Sequence, residues 1–374
     1  MSPRKRVAVI WINFGPYHIA RVRAMREHLE VSAIELSAHQ RAYGWIPAAS
    51  EEILTLSDKA WEDTPPLAVS LKLWRALTTS RPEAILVPGY SNLPAVTAAF
   101  WGLCHNRVNI LMSDSNYEDR KRSGAVEFAK RLLVRLLFTK GMAAGARSAR
   151  YLKRLGLPAK DISRKYDVVD NAAIDRAVTE IRKGGRRPAR DYFLCVARLA
   201  PEKDHFTLLT AWDRYRSSGG TLALRIVGHG PLEDEIRRRA AESPFSADIE
   251  LAGARYGNDL LSEFAFASCL ILPSVMEPWG LVVNEAMAAA LPVVTSQACG
   301  CSEDLVRQGE NGFVFEARNA EQLAGIMRRI EDMPDSARAA MGERSKELIA
   351  EFTPADWASE VVRLLGNNQV EACV

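Results

Sequence analysis

The sequence predicts an α/β protein made of two Rossmann-like, doubly wound domains. Short apolar runs alternate with amphipathic stretches of about 10 to 15 residues, which is the pattern of a parallel sheet covered by helices. The charged run 182–190 interrupts this alternation, which resumes after it. A length of 374 residues also favours two domains of ordinary size over one.

The composition is that of an ordinary globular protein, with 48% apolar and 25% charged residues. A formal net charge of +3 is too small to predict nucleic-acid binding. The sequence has no run of about 18 apolar residues, so no membrane-spanning helix is predicted. The N-terminal apolar run is short and is followed by no small-residue cleavage site. This favours a first strand over a signal peptide, and hence a cytoplasmic protein.

The six cysteines lie mostly in apolar or strand-like segments, where buried thiols of a reducing compartment are expected. Cys299 and Cys301 are too close together for a usual zinc pair, and no second half-site accompanies them. The six histidines also lack ligand spacing. We therefore expect no metal and no other cofactor.

The first half of the chain predicts a parallel sheet whose carboxyl edge carries polar residues. Strands are predicted at 7–12, 31–36, 53–56, 84–87, 109–112 and 166–169, with a short strand and turn at 141–146. Helices are predicted at 19–29, 67–80, 92–103, 125–138 and 148–155. Gly15 and His18 follow the first strand and Asp114 follows the strand 109–112, at the ends where open α/β sheets bind ligands. The first loop lacks G-x-G-x-x-G, so a dinucleotide site is not predicted.

The predicted helix 125–138 has a broad apolar face, which includes Phe128, Leu132 and Leu136, and a face rich in Lys and Arg. A basic amphipathic helix can lie on an anionic membrane surface. The alternative, which the packing of α/β domains favours, is a core-facing apolar side with solvated charges. The cationic excess over 121–140 keeps peripheral contact with the inner face of a membrane as an expectation.

A domain boundary is predicted between about 171 and 190, because the charged run there breaks the periodicity. The first domain is expected to span 1–172 and the second 190–353. Strands of the second are predicted at 192–196, 222–227, 249–251, 269–272, 291–295 and 309–315. Helices are predicted at 281–290, 320–331 and 354–365.

The segment 269–290 has the most informative pattern in the chain. A buried strand leads through a polar loop with Gly280 into a helix, an arrangement that presents backbone N–H groups to an anion. Glu277 lies in the loop and Glu285 about one turn into the helix. Carboxylates beside a phosphate site are useful when they face hydroxyls, so a nucleotide sugar fits this segment. Alternatively, Glu277 is an ordinary loop carboxylate and Glu285 interacts with the helix dipole.

Two further loops of the second half carry candidate binding residues. Arg198 and Lys203, five positions apart after a buried strand, can converge on one diphosphate, although solvated cations are the usual reading. Gly228 and Gly230 follow the next strand, where glycine lets the backbone come close to a ligand.

Glu277 and Glu285, with Gly280 between them, resemble the E-x7-E motif of retaining GT-B glycosyltransferases of the family 4 type, and Arg198 and Lys203 resemble its R-x4-K element. The resemblance implies two Rossmann-like domains that face an inter-domain cleft. It places Glu277 beside the donor sugar, Glu285 on the ribose, and Arg198 and Lys203 on the diphosphate. The amides of Gly280, Leu281 and Val282 would bind the diphosphate as well. It also implies that a terminal helix, about 354–368, crosses back to the first domain.

By the same resemblance, the chain is expected to transfer a hexose-type sugar, with retention and without a metal, from a nucleotide diphosphate sugar. The acceptor is a glycan, a lipid-linked sugar or a small molecule, and Asp114 would lie beside the reacting centre. Gly228, Gly230, Gly15 and His18 are the remaining expected substrate contacts. Asp114 is equally consistent with a helix N-cap, and His18 with a hydrogen bond inside its loop.

Two other functions remain open at this point. One is a different enzyme on the same fold, such as a nucleotide-sugar epimerase or an inverting transferase. The other is a non-catalytic protein that binds a nucleotide sugar.

Overall fold

The computed structural model describes residues 4–41, 52–119, 122–185 and 187–366. The chain divides into two compact units, which are Met1–Val169 together with Phe352–Val374, and Asp170–Glu351. Both units are α/β, as the alternation of apolar runs and amphipathic stretches predicts.

In its described part, unit 1 contains a seven-stranded parallel sheet of order β3-β2-β1-β4-β5-β6-β7. The strands are β1 Arg6–Trp11, β2 Glu30–Glu35, β3 Ile53–Thr55, β4 Ala84–Pro88, β5 Val108–Ser113, β6 Lys140–Ala143 and β7 Ile162–Ser163. The helices are α1 Pro16–Arg26, α2 Pro66–Ser80, α3 Leu93–Cys104, α4 Gly124–Leu137 and α5 Ala146–Arg154. The central strands β1, β4 and β5 are buried almost throughout, because helices cover both faces of the sheet.

The segment 166–169, predicted as a strand, is irregular, and β7 forms a few residues earlier. Val168 and Val169 are fully buried, which explains the apolar run. The carbonyl of Val168 accepts a hydrogen bond from the guanidinium of Arg21 at 3.0 Å instead of a strand partner. Arg21 is itself 1% exposed and lies 3.5 Å from Asp167. A side chain therefore supplies the hydrogen bond that this buried carbonyl needs. The periodicity of the sequence does not indicate such a partner.

Helix α4 forms within one residue of its predicted range, but most of its apolar face is not core. Val134 and Leu137 are buried, whereas Phe128, Leu132 and Leu136 are 63%, 55% and 63% exposed. The expected packing of the whole apolar face is therefore wrong. Lys121, which the sequence analysis assigns to the basic segment, lies outside the described residues.

In its described part, unit 2 contains a six-stranded parallel sheet of order β10-β9-β8-β11-β12-β13. The strands are β8 Tyr192–Val196, β9 Ala223–Val227, β10 Ile249–Gly253, β11 Cys269–Leu272, β12 Val293–Ser296 and β13 Gly312–Phe315. The helices are α6 Asn171–Gly184, α7 His205–Ser217, α8 Glu233–Ala241, α9 Gly257–Phe266, α10 Leu281–Ala288, α11 Ser302–Leu305, α12 Ala320–Asp332 and α13 Asp335–Ile349.

Helix α6 occupies most of the range in which the sequence analysis predicts a boundary. The side chain of Asp170 caps it by accepting from Ala173 N at 2.9 Å, and Ile174 and Val178 are buried. Arg182, read from the sequence as part of a flexible charged run, donates to the carbonyls of Ala265 and Ala289, each at 2.9 Å. This helix therefore packs as an integral part of unit 2.

The last described helix, α14 (Pro354–Leu364), belongs to unit 1 and packs on α1. Its buried side chains include Trp357, Val361 and Leu364, which agrees with the expected return of the terminal helix to the first domain. Thr353 and Asp356 form a capping box at its start. Residues 367 and 368 of the predicted range lie outside the described residues.

Of the helices in the described ranges, none combines the length and the hydropathy that crossing a bilayer requires.

Candidate active site

The loops after β8 and β11 meet at the carboxyl edge of the unit 2 sheet. The Nζ atom of Lys203 donates a hydrogen bond to Oε2 of Glu277, and Ser274 Oγ lies 3.4 Å from the same oxygen. The two charged side chains are only 17% and 11% exposed. Val275 N also donates to the carbonyl of Glu202 at 2.9 Å, which ties one loop to the other. The structure thus brings together two predicted site residues that lie far apart in the sequence.

Gly280 controls how the β11 loop enters helix α10. Its φ is +104°, a left-handed value that favours glycine, and a Cβ here would lie 3.0 Å from Leu272 Cδ2. Helix α10 begins at the next residue, so the amides of Leu281 and Val282 belong to its first turn. First-turn amides have no partner within their own helix, and the helix dipole adds positive potential there.

Glu285 lies in the second turn of α10 and is 8% exposed. A carboxylate at this depth is unusual, because the charged form loses its hydration. The ribose contact and the interaction with the helix dipole both stay predictions for this side chain.

A neighbouring contact, between Trp279 and Asn284, was not predicted from the sequence. The indole Nε1 of Trp279 donates to Asn284 Oδ1 at 2.9 Å, and both side chains are buried. This bond joins the loop to α10 on either side of Gly280. A buried Trp and Asn five residues apart carry no recognisable pattern, so no sequence signal could have found it.

Arg198 also follows β8, but its side chain takes another partner. It is 48% exposed and its Nη2 donates to Glu202 Oε1 at 2.6 Å. Burial alone would raise the pKa of Glu202, but a backbone hydrogen bond and the bond from Arg198 lower it below its ordinary value. The predicted pair therefore divides: Lys203 contacts Glu277 and Arg198 contacts Glu202.

Gly228 and Gly230 let the β9 loop pack against the β8 loop. A Cβ on Gly228 would lie 1.9 Å from the carbonyl oxygen of Ala197, and one on Gly230 would lie 2.4 Å from that of Leu199. Leu199 N donates to the carbonyl of His229 at 2.9 Å. The close approach that glycine permits is thus to another loop of the protein, and the expected contact with a ligand stays a prediction.

His205, the first residue of α7, lies close to the Lys203 loop and was not singled out from the sequence. It is 1% exposed, and neither ring nitrogen has a hydrogen-bond partner among the described residues. Burial, and secondly the charge of Lys203, lower the pKa of His205 from 6.5 to about 4. The side chain is therefore a neutral, buried imidazole at neutral pH.

In unit 1, Gly15 and His18 form the start of α1. Gly15 N donates to Nδ1 of His18 at 3.0 Å, so the hydrogen bond inside the loop is present. The ring lies against Trp11 with centroids 4.4 Å apart and the two planes tilted by 33°. Burial, and secondly the charge of Arg21, hold the pKa of His18 well below its ordinary value. The imidazole is thus neutral and accepts through Nδ1.

Asp114 is exposed and directly follows β5. The next helix, α4, begins at Gly124 with Ser123 as its N-cap residue. The alternative role of Asp114 as a helix N-cap is therefore wrong, and its place at the carboxyl edge of the sheet agrees with the prediction.

Metal-binding potential is limited in the described ranges: they hold no group of three or more His, Cys, Asp or Glu side chains arranged to bind an ion. Cys195, Cys269, Cys299 and Cys301 are buried thiols, as expected, whereas Cys104 is exposed. Cys373 lies outside the described residues.

Two Rossmann-like units of this topology define the GT-B architecture of glycosyltransferases, and solved structures share it. A glycosyltransferase from Rickettsia africae superposes with a TM-score of 0.74 at 12% identity, covering 97% of this chain and 99% of that one. HepE from Anabaena, in complex with UDP and glucose, gives a TM-score of 0.73 at 17% identity over 96% of this chain and 99% of its own. The predicted fold class is confirmed.

Residues 178–348 match the model of the family described as glycosyl transferases group 1. A GDP-mannose-dependent alpha-(1-6)-phosphatidylinositol monomannoside mannosyltransferase of Mycobacterium tuberculosis is 29% identical over 181 residues, 46% of each chain. A glycogen synthase of the same species is 30% identical over 164 residues, 44% of this chain and 39% of its own. The chain thus spans about half the length of the curated relatives it matches. The suspected resemblance is confirmed at the level of group 1.

Proposed function

We propose that the protein is a retaining, metal-independent glycosyltransferase. It moves a hexose-type sugar from a nucleotide diphosphate sugar to a glycan, a lipid-linked sugar or a small molecule. The observation that carries the proposal is the ion pair of Lys203 with Glu277 at the carboxyl edge of a group 1 domain, beside the glycine that starts α10. HepE from Anabaena, which shares the fold, has been solved in complex with UDP and glucose and with UDP-glucose, and these ligands agree with a donor of this class.

The donor site combines positive and negative groups in the order that a nucleotide sugar requires. Lys203 and the amides of Gly280, Leu281 and Val282 supply positive potential for the diphosphate. Glu285 accepts hydrogen bonds from the ribose hydroxyls, and Glu277 from hydroxyls of the sugar. Arg198 and the glycines 228 and 230 complete the phosphate end. Because Glu277 is already held by Lys203, the two opposite charges offset each other before the donor arrives.

The chemistry asks for charge stabilisation more than for a strong base. The acceptor oxygen forms a bond to the anomeric carbon on the face from which the phosphate departs. The bond from the anomeric carbon to the phosphate oxygen breaks, and that oxygen takes the acceptor proton. Arg198, Lys203 and the α10 amides stabilise the negative charge of the leaving diphosphate, the task that a metal ion performs elsewhere. In unit 1, Asp114, Gly15 and His18 are the acceptor-side residues.

We also propose that unit 1 contacts the inner, cytoplasmic face of a membrane through α4. Phe128, Leu132 and Leu136 recur every four residues and form an exposed apolar stripe on this helix. Arg131 and Arg135 are exposed on the same helix, next to the stripe. Apolar side chains that insert at the headgroup boundary, flanked by cations, fit a surface of anionic lipids.

Thermal unfolding with UDP, GDP, ADP, CMP and dTDP, each with and without a sugar, tests the donor site. A nucleotide present at about 100 times its dissociation constant adds about 2.7 kcal/mol of stability. We expect one nucleotide to exceed the others, and no response to any of them would contradict the proposal.

The alternatives differ in their products. NMR of the anomeric proton distinguishes a retained from an inverted linkage, and an epimerase changes its donor without any acceptor. A non-catalytic binding protein responds to the nucleotide but releases none when acceptors are added. Unchanged turnover in excess EDTA is expected of a metal-independent enzyme, and inhibition would contradict that part of the proposal.

A further inference from the structure

Unit 1 contains a pocket of about 550 Å³ that none of the expected site residues lines. It lies between helices α4 and α5 and the segment after β5. Its volume is within the range of small-molecule sites, about 300–1,000 Å³. We call it the arginine pocket, because its lining includes Arg131, Arg147, Arg150, Lys153 and Arg154.

The charge of the arginine pocket is strongly one-sided. Among the described residues of its lining, Glu118 is the one carboxylate against five cations, and it is 65% exposed at 3.8 Å from Arg147. This local excess is larger than the net charge of +3 of the whole chain. Arg147, Arg150 and Arg154 follow one another at intervals of three and four on α5, where like charges destabilise a helix. A bound anion would reduce the repulsion among these cations.

The floor of the pocket is rigid and aromatic. Tyr151 is 2% exposed and donates to Glu127 Oε2 at 2.9 Å, while Arg122 donates to the Tyr151 hydroxyl at 2.7 Å. The guanidinium of Arg154 lies 3.8 Å from the ring centroid of Tyr117 and donates to its hydroxyl at 3.2 Å. Stacking of this kind holds an arginine in a fixed orientation, so less entropy is lost when it binds an anion.

The pocket lies beside the carboxyl edge of the unit 1 sheet. Ser148, on α5, donates to the carbonyl of Ser113, the last residue of β5, at 2.8 Å. Asp114, the proposed acceptor-side residue, is the next residue along the chain. A molecule that reaches Asp114 can therefore extend toward the cations of α5. Arg131 also connects the pocket to α4, the helix with the exposed apolar stripe.

We infer that the arginine pocket binds a phosphate group, as a monoester or a diester, that the acceptor carries. A phosphate has several acceptor oxygens and up to two negative charges, so it engages several guanidinium groups, whereas one carboxylate is satisfied by one arginine. That the phosphate belongs to the acceptor rests on the proposed glycosyl transfer. The binding of phosphate by the pocket does not.

The test measures binding of glycerol 3-phosphate by calorimetry at low salt, with glycerol as the uncharged blank. The pocket variant is R150Q/K153Q, which removes two exposed cations. The matched control is R75Q/R164Q, which removes two exposed cations of unit 1 that do not line the pocket. We expect the pocket variant to bind about tenfold more weakly, because charge-assisted hydrogen bonds are lost, and the control to bind as the wild type does.

Three results would overturn the inference. The first is no binding by the wild type at about 10 mM ligand, a concentration that detects even millimolar affinity. The second is equal binding by the wild type and the pocket variant. The third is binding that K203A abolishes and R150Q/K153Q does not, since the phosphate then occupies the donor site. If the arginine pocket does not bind phosphate but a nucleotide still raises the unfolding temperature, the phosphate site is excluded and the proposed glycosyltransferase function is not. The failure of one proposal can therefore be distinguished from the failure of the other.

Vesicles identify the source of the phosphate. If the phosphate belongs to a lipid headgroup, R150Q/K153Q binds phosphatidylglycerol vesicles more weakly than R75Q/R164Q does. Neither variant binds phosphatidylcholine vesicles. If it belongs to a soluble acceptor, the two variants bind vesicles equally while only the pocket variant loses glycerol 3-phosphate. Both results support a phosphate site.

Discussion

Lys203 donates a hydrogen bond to Glu277 although 74 residues separate them in the sequence. The contact forms because β8 and β11 are neighbours in the sheet, so the loops after them meet at the same edge. It gives the loops a fixed cation and a fixed carboxylate before any ligand binds. Preorganised charges of this kind need no rearrangement during a reaction.

Replacing Lys203 with alanine is expected to lower kcat/KM by about 10²- to 10³-fold, because the leaving diphosphate loses a preorganised cation. Glu277→Gln should lower kcat, and the double variant should lose less than the product of the two effects, since the residues act as a pair. Steady-state kinetics checks both. Lys183→Ala, which removes an exposed cation of unit 2, is the control. Near wild-type kcat/KM in Lys203→Ala would exclude this role.

Glu285→Gln is expected to weaken nucleotide binding and leave the fold intact, because glutamine keeps the shape of the buried side chain. Loss of charge-assisted hydrogen bonds to the ribose predicts a roughly 10- to 100-fold higher Kd. Titration calorimetry measures this, with Glu235→Gln, at an exposed position of α8, as the control. An unchanged Kd together with a lower unfolding temperature would make Glu285 a structural residue.

Gly280→Ala is expected to destabilise unit 2 by about 1–3 kcal/mol, because alanine is strained at a φ of +104° and its Cβ lies against Leu272. Gly325→Ala, in the exposed middle of α12, is the matched comparison, since a Cβ there meets no atom within 4 Å. That variant should gain about 0.5–1 kcal/mol. Chemical denaturation of both measures the difference, and equal effects would refute the argument.

Stability of unit 2 is expected to fall as the pH drops from about 6.5 to about 4. The pKa of His205 is about 4 in the folded protein and 6.5 as its ordinary value. Between these values the unfolded chain binds a proton that the folded chain does not, so unfolding becomes easier as the pH falls and the loss levels off below about 4. The full effect is on the order of 3 kcal/mol.

Denaturation of His205→Leu over this pH range should show a flatter dependence than that of the wild type. His229→Leu is the control, because that side chain is exposed in the same unit. If the two variants lose stability with equal slopes, His205 does not cause the pH dependence.

Replacing Phe128, Leu132 and Leu136 with serine is expected to abolish binding to anionic vesicles without lowering stability, since all three are exposed. Leu67→Ser/Leu71→Ser, with two exposed leucines of α2, is the control. Vesicle sedimentation measures the effect. Equal binding by the wild type and the α4 variant would remove the membrane proposal.

Hydrophobic periodicity predicted the positions of the sheet strands in both units to within a few residues, because buried parallel strands are short, continuous apolar runs. They failed where the partner of a polar group is distant in sequence. From the sequence, Arg182 was assigned to a linker, but in the structure it donates hydrogen bonds to the carbonyls of Ala265 and Ala289. Val168 was predicted to lie in a strand, but its carbonyl accepts a hydrogen bond from the guanidinium of Arg21.

The candidate site shows the same limit. The positions of Lys203, Glu277 and Gly280 follow from strand, loop and helix order. The partner of Arg198, the buried Trp279–Asn284 bond and the low pKa of His205 depend on three-dimensional packing, which one sequence does not encode locally. The sequence left open whether the apolar face of α4 is packed or exposed, because periodicity reports which residues share a face and not what covers it.

Helix α14 returns Trp357 and Val361 to the core of unit 1 after the whole of unit 2 has intervened along the chain. During synthesis on a ribosome, unit 2 is therefore complete and able to fold while unit 1 still lacks part of its interior. A nascent chain stalled before residue 354 would expose the apolar surface of β1 and α1 that these side chains cover. Unit 1 consequently matures last, although its first residues emerge first.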